Sequence, residues 1–257
     1  MFARISLLLL LICGHCSVSA QSASPTTHSK NAVVPVPFVG CESDGQLGLF
    51  KAPAGRTKQR AIPAGAAQRL AYYSADELLG VFAPKGWHCF GTYGSNGTSL
   101  YVSPDPINVA DLFSTNWKGF AGPVVQISYE YGDTSGRFGV AKTIARVFPA
   151  HKAFVEKVIA EGIEPASSFP FGPYPADALT YRTENVVEFA TPPRAEGLGT
   201  ASRLQKNDIP IIGVAILEGE EPNLLRLWVH LPLETKDLAQ FIIHETERRA
   251  ARFGHSR

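Results

Sequence analysis

The sequence predicts an α+β fold, an antiparallel sheet with helices packed on one face and a single disulfide. Three observations predict it. Val125, Ile127, Tyr129 and Tyr131 alternate with Gln126, Ser128 and Glu130, the pattern of a strand in a sheet with one face in water. Apolar runs at 179–183 and 186–191, and again at 211–217 and 224–231, are separated only by short turns. Strands joined that tightly run antiparallel. Finally, Cys41 and Cys89 are the two cysteines that remain once an N-terminal export segment is removed, and two cysteines in an exported chain pair most simply with each other.

That export segment is residues 1–20, read as a signal peptide. Arg4 gives a positive start, residues 5–13 (ISLLLLLIC) form an apolar run, and Val18-Ser19-Ala20 places small residues at the cleavage positions. The run is shorter than the roughly 20 apolar residues of a membrane span. No later run reaches that length, so no span is expected after cleavage. Residues 21–37 (QSASPTTHSKNAVVPVP) are rich in Ser, Thr and Pro without a period and read as a flexible lead-in. Residues 38–257 then form a single α+β domain, with 51–63 as a surface loop.

Within the domain, Ser74-Ala75-Asp76-Glu77 reads as a capping box opening a short turn that Gly80 ends. Asn96-Gly97 signals a hairpin, since both residues tolerate positive φ. Residues 90–93 and 100–102 are its arms, and Cys89 at its foot is placed to reach Cys41. Phe138, Ala141, Ala145 and Phe148 recur at helical spacing after Asp133-Thr134-Ser135, any of which can cap. Pro149 suits the first turn of a second helix, with Phe154, Val158 and Ile159 inward and Gly162 as its stop. A last helix from near Thr235 buries Leu238, Phe241, Ile242 and Phe253. It ends among Arg248, Arg249, Arg252 and Arg257, which complement the negative end of a helix dipole.

The chain has 24 basic and 23 acidic residues, and Arg4 is the only charge in the export segment, which leaves 23 against 23. A balanced chain carries no electrostatic footprint for nucleic acid or an anionic membrane. The expected partners are an unknown small molecule or an envelope protein.

Several strings look chemical and have plainer readings. Cys41, His88, Cys89 and Asp44 offer metal-ligand types, but oxidised cysteines hold no metal, and adjacent strand residues face opposite sides. Asn96-Gly97-Thr98 spells a glycosylation acceptor, and a turn accounts for it. Residues 131–138 (YGDTSGRF) echo the strand–turn–helix elbow that presents a nucleophile, with Thr134 or Ser135 as the hydroxyl. His230 or His244 would be the base and Asp177, Asp208 or Asp237 the orienting acid, whereas capping explains the same residues without chemistry. His244-Glu245-Thr246-Glu247 begins a zinc-protease motif, but Arg248 stands where the second histidine is needed. No metal and no cofactor is expected. Glu196-Gly197-Leu198-Gly199-Thr200 holds a lone GxG that reads as a loop. Residues 169–175 (FPFGPYP) bring Phe169, Phe171 and Tyr174 together on a proline-stiffened segment, either a binding surface or a plug at the edge of the core.

The strings VPFVGC-SDGQ, GWHCFG-YGSNG, YGDTSGRF, FPFGPYP and EGLGT, spread over nearly all of residues 21–257, resemble a group of exported bacterial proteins without an assigned activity. The resemblance implies a location in the bacterial envelope and brings no catalytic residue. The leading expectation is therefore non-catalytic binding of a ligand or partner in the periplasm or outside the cell. The alternatives are a hydrolase using Thr134 or Ser135 and an envelope structural or assembly factor.

Overall fold

The structure is a computed structural model that describes residues 33–54, 61–75 and 80–253. The expected signal peptide, most of the lead-in, Asp76 and Glu77 of the expected capping box, and Arg257 lie outside the described residues, while Ser74 of that box ends a strand. From the N-terminus come β1 (Val33–Pro35), β2 (Phe38–Gly40), β3 (Glu42–Gly45), β4 (Ala61–Pro63), one helical turn α1 (Ala64–Ala67), β5 (Leu70–Ser74) and β6 (Gly80–Pro84). Next are β7 (His88–Gly94), β8 (Gly97–Ser103), α2 (Val109–Phe113), β9 (Val124–Glu130), α3 (Arg137–Val147) and α4 (Lys152–Ala160). The chain continues through β10 (Ala178–Thr183), β11 (Val186–Thr191), β12 (Ile211–Glu218), β13 (Asn223–His230) and α5 (Ala239–Phe253).

Eight strands form the main sheet in the order β10-β11-β12-β13-β9-β8-β7-β3, and β2-β5-β6 and β1-β4 form smaller sheets. The main sheet is two antiparallel meanders, β7 to β9 and β10 to β13, joined where β9 pairs with β13. Within this sheet, among the described residues, β3 alone runs parallel to its neighbour, β7. Residues 33–36, expected in the lead-in, belong to the fold: β1 pairs with β4 and Val36 is buried.

The helices do not share one face, which corrects the layered arrangement expected from the alternation in β9. Val125, Ile127, Val214, Ile216, Leu225 and Leu227 point to one side, where α5 and the small sheet cover them. Their neighbours Val124, Ala215, Leu217, Leu224 and Trp228 point to the other, into a second core with α3 and α4. A strand exposes successive residues to opposite faces, so nearly continuous apolar runs such as Ile211–Glu218 demand cover on both. The expected wet face of β9 is largely covered: Gln126 and Ser128 are buried.

Local signals set the joints. The β7–β8 hairpin turns at Ser95-Asn96, between Gly94 and its partner Gly97. Gly97 alone takes the positive φ (140°), and a Cβ there would strike the backbone of Tyr129. No capping side chain opens α3, whose N-cap is Gly136. Pro149 starts a short 3-10 turn before α4, and Gly162 follows it with φ 68°. Arg249 on α5 donates to the Gly80 carbonyl and the Tyr72 hydroxyl and lies over the Tyr72 ring, binding the last helix to the small sheet.

The disulfide joins Cys41 to Cys89, with Cα atoms 5.4 Å apart. Cys41 sits where one extended segment leaves the small sheet (β2) and enters the large one (β3). Glu42 pairs with Phe90, so the bridge lies one step before the four-residue β3–β7 ladder begins.

Candidate functional site

One face of the main sheet divides into an apolar half and a polar half. Over β11 to β13 it presents Val187, Phe189, Ala215 and Leu224, and α3 and α4 cover it. Over β7 to β9 the same face turns polar and borders a groove of about 510 Å³.

The groove floor consists of cross-strand rows. Thr92, Ser99, Ser128 and Arg226 stand side by side on four adjacent strands. On one side of this row lie Tyr101, Gln126 and Trp228, and on the other Gly97 and Glu130. Directly opposed residues on one face are in contact range, so the polar side chains of these rows adjoin one another between the buried rings of Tyr101 and Trp228.

Beneath the inner end lies an ion pair. Arg226 Nη2 donates to Glu130 Oε1, and the two side chains are only 11% and 19% exposed. Arg226 also donates to Thr143 Oγ1 on α3 (3.1 Å), and its guanidinium lies 4.7 Å from the centre of the Trp228 ring. Gly139 on α3 makes room for the pair, since a Cβ there would overlap the Glu130 carboxylate. Ser128 Oγ, Glu130 Oε2 and Arg226 Nε are buried and have no hydrogen-bond partner among the described residues. Burying such groups costs free energy unless they are paired.

The rim comes from two irregular segments. Leu112 and Phe113 of α2 form one side, with Phe113 half exposed. Ala201, Ser202 and Arg203 form the other, and a chain of hydrogen bonds anchors them. Asp177 accepts from Thr191 Oγ1 (2.6 Å) and from the Leu198 amide (2.8 Å), and Thr191 Oγ1 accepts from the Gly199 amide (2.8 Å). The Leu198 carbonyl accepts from Trp228 Nε1 (2.9 Å), and Gln126 Oε1 accepts from the Arg203 amide (3.2 Å). The GxG at 197–199 has its physical cause here: a Cβ on Gly197 would collide with Asp177, and one on Gly199 would crowd Thr191 and Ile211.

The residues singled out from sequence fall elsewhere. Thr134 Oγ1 donates to the Tyr131 carbonyl and accepts from the Gly136 amide, closing the turn before α3. Ser135 Oγ is 3.1 Å from Ser95 Oγ. His230 stands at the far end of the β9–β13 pair, opposite Val124, and Glu130 just before the turn is opposite Leu224. His244 is on α5, across the sheet from α3. The structure therefore does not bring a histidine to either hydroxyl. Of the proposed acids, Asp177 shapes the rim, Asp208 pairs with Arg194, and Asp237 pairs with Arg69.

Nor do the three rings of the proline segment present one surface. Phe169 is buried in the core, Tyr174 lies under the Arg146 guanidinium (4.1 Å), and only Phe171 is half exposed. Cys41 and Cys89 are joined, which leaves no thiolate for the metal alternative. Arg248 is ion-paired with Glu245.

His230 is explained by its surroundings. Its Nδ1 donates to the Gly122 carbonyl (2.9 Å), and its buried Nε2 has no partner among the described residues. Burial pushes the imidazole pKa below its ordinary value, against the smaller opposing effect of that hydrogen bond, so the ring is neutral at pH 7.

No protein-family model, no curated protein and no solved structure matches the chain.

Proposed function

We propose that the protein is exported and binds, without catalysis, a small hydroxyl-rich ligand of saccharide type in the groove over β7, β8, β9 and β13. The observation that carries this reading is the ladder of hydroxyl and amide side chains on the floor, half-buried at Thr92 and Ser99 and buried at Ser128 and Gln126. Such groups both donate and accept, as a sugar hydroxyl does in return. The carboxylate nearest the ladder, Glu130, is neutralised in place by Arg226, so the floor makes no strong demand for a charged ligand. At the rim, the half-exposed Phe113 offers a ring face suited to the C–H face of a pyranose. About 510 Å³ falls within the range of small-molecule sites.

The non-catalytic part of the reading rests on the lining. Among the described residues that border the groove the one carboxylate, Glu130, is held by Arg226, and no His, Cys, Asp or Lys stands there to activate a hydroxyl. Export is supported by the pattern of residues 1–20 and by a disulfide, a bond of oxidising compartments. The resemblance to exported bacterial proteins favours the envelope.

Trp228 borders the groove and Trp117 lies beside Arg203, so intrinsic fluorescence reports on occupancy. Titration with neutral mono- and disaccharides is expected to give a saturable change for at least one of them. Phe113→Ala should weaken that binding by up to about tenfold, the value of one aromatic contact. Absence of a saturable response across the panel, or equal affinity in the variant, contradicts the reading.

A further inference from the structure

On the opposite face of the sheet, remote from the groove, we propose a binding site for a divalent transition-metal cation of the zinc type, formed by Glu188, His244 and Glu247. The site is independent of the saccharide reading. Glu188 projects from β11 toward α5, because its partner Val214 belongs to the core that α5 covers. His244 and Glu247 are three residues apart on α5 and so share one side of that helix. One ligand atom from each of the three lies within 4.8 Å of the others, and His244 Nε2 is 3.9 Å from Glu188 Oε1.

This donor set is one imidazole nitrogen and two carboxylate oxygens, the chemistry that zinc and its neighbours take in three-ligand sites. With bonds of about 2.1 Å, ligand atoms around one tetrahedral ion stand roughly 3.4 Å apart. The cluster therefore has to contract by about an ångström. His244, whose side chain is 55% exposed, is free to make that adjustment and leaves a fourth position open to water.

Two further observations point to a missing cation. Glu247 Oε1 is buried and has no hydrogen-bond partner among the described residues. Glu188 is 88% buried as a side chain and already engages Arg182, yet a second carboxylate is packed against it. An ion between the two carboxylates would give both a partner, and Arg182 remains as the outer partner that orients Glu188. The bound ion would fasten α5 to β11.

The test is calorimetric titration of the untagged, disulfide-bonded protein with zinc chloride, together with thermal melts with and without zinc. One equivalent should bind and raise the melting temperature. His244→Ala and Glu247→Gln should each weaken binding at least tenfold and remove the zinc-dependent rise. Without zinc, Glu247→Gln should melt no lower than the wild type, because it deletes one of two adjacent buried charges, and this shows that the variant is folded. Failure of the wild type to bind zinc, or unchanged binding by either variant, overturns the proposal.

Discussion

His230 shows how a residue with catalytic chemistry becomes a structural one. Its Nδ1 holds the Gly122 carbonyl, and its Nε2 sits where a proton would find no acceptor among the described residues. The folded-state pKa is therefore depressed by burial. The sign of the consequence follows from linkage. Below the ordinary value of about 6.5 the unfolded chain takes up the proton first, so acidification favours unfolding. The contribution of His230 is fully present above that value and is lost as pH falls toward the folded-state pKa. His230→Gln can keep the bond to Gly122 without titrating. Its melting temperature is expected to fall less than the wild type's between about pH 6.5 and 5. Parallel pH profiles of the two proteins would show that this histidine is not buried neutral.

At the same scale, legibility depended on whether a residue's partner was near in sequence. The Cys41–Cys89 pairing could be read because no other cysteine follows residue 20. Asp177 could not be read as the anchor of the 197–199 turn, because its partners lie 14 and 21 residues away. For the same reason the HETER string at 244–248 gave no hint of a third ligand at Glu188. Spacing along a helix specifies one side of a site, and only the fold supplies the other.

Among the elements, β3 depends most on covalent support. It is a four-residue edge strand in parallel pairing with β7, and parallel pairing is slightly weaker per residue than antiparallel. The disulfide closes a separation of 48 residues, worth about 4 kcal/mol in the chain-entropy account. Reduction should lower the melting temperature by about 10 °C for a domain of this size, and mass spectrometry of the oxidised protein should find no free thiol. A melting temperature indifferent to reductant would remove the disulfide from the account of stability. Hairpins were the most legible elements: β7–β8, β10–β11 and β12–β13 all lie where turn residues separate apolar runs. The start of α3 was not, because Thr134 closes the preceding turn instead of capping the helix.

For the molecule as a whole, the decisive arrangement is the division of one sheet face between an apolar half under α3 and α4 and a polar half left as a groove. The sequence held the clue in Gln126, Ser128 and Glu130. Taken by itself, that alternation means a face in water. Only the neighbouring strands show that Ser99, Tyr101, Arg226 and Trp228 fall into register with it. Periodicity finds the face of a strand and is blind to what stands beside it, so the fold class was legible and the site was not. The helix layers were misjudged for a related reason, since one amphipathic strand was extended to a sheet whose other strands are apolar on both faces.

The most direct measurement is a backbone amide NMR spectrum recorded as a binding saccharide is added. The account predicts perturbations centred on Ser99, Gln126, Ser128 and the 201–203 rim, with 169–174 and 244–247 unmoved. Perturbations confined to 169–174, or none in the groove at saturating ligand, would contradict it.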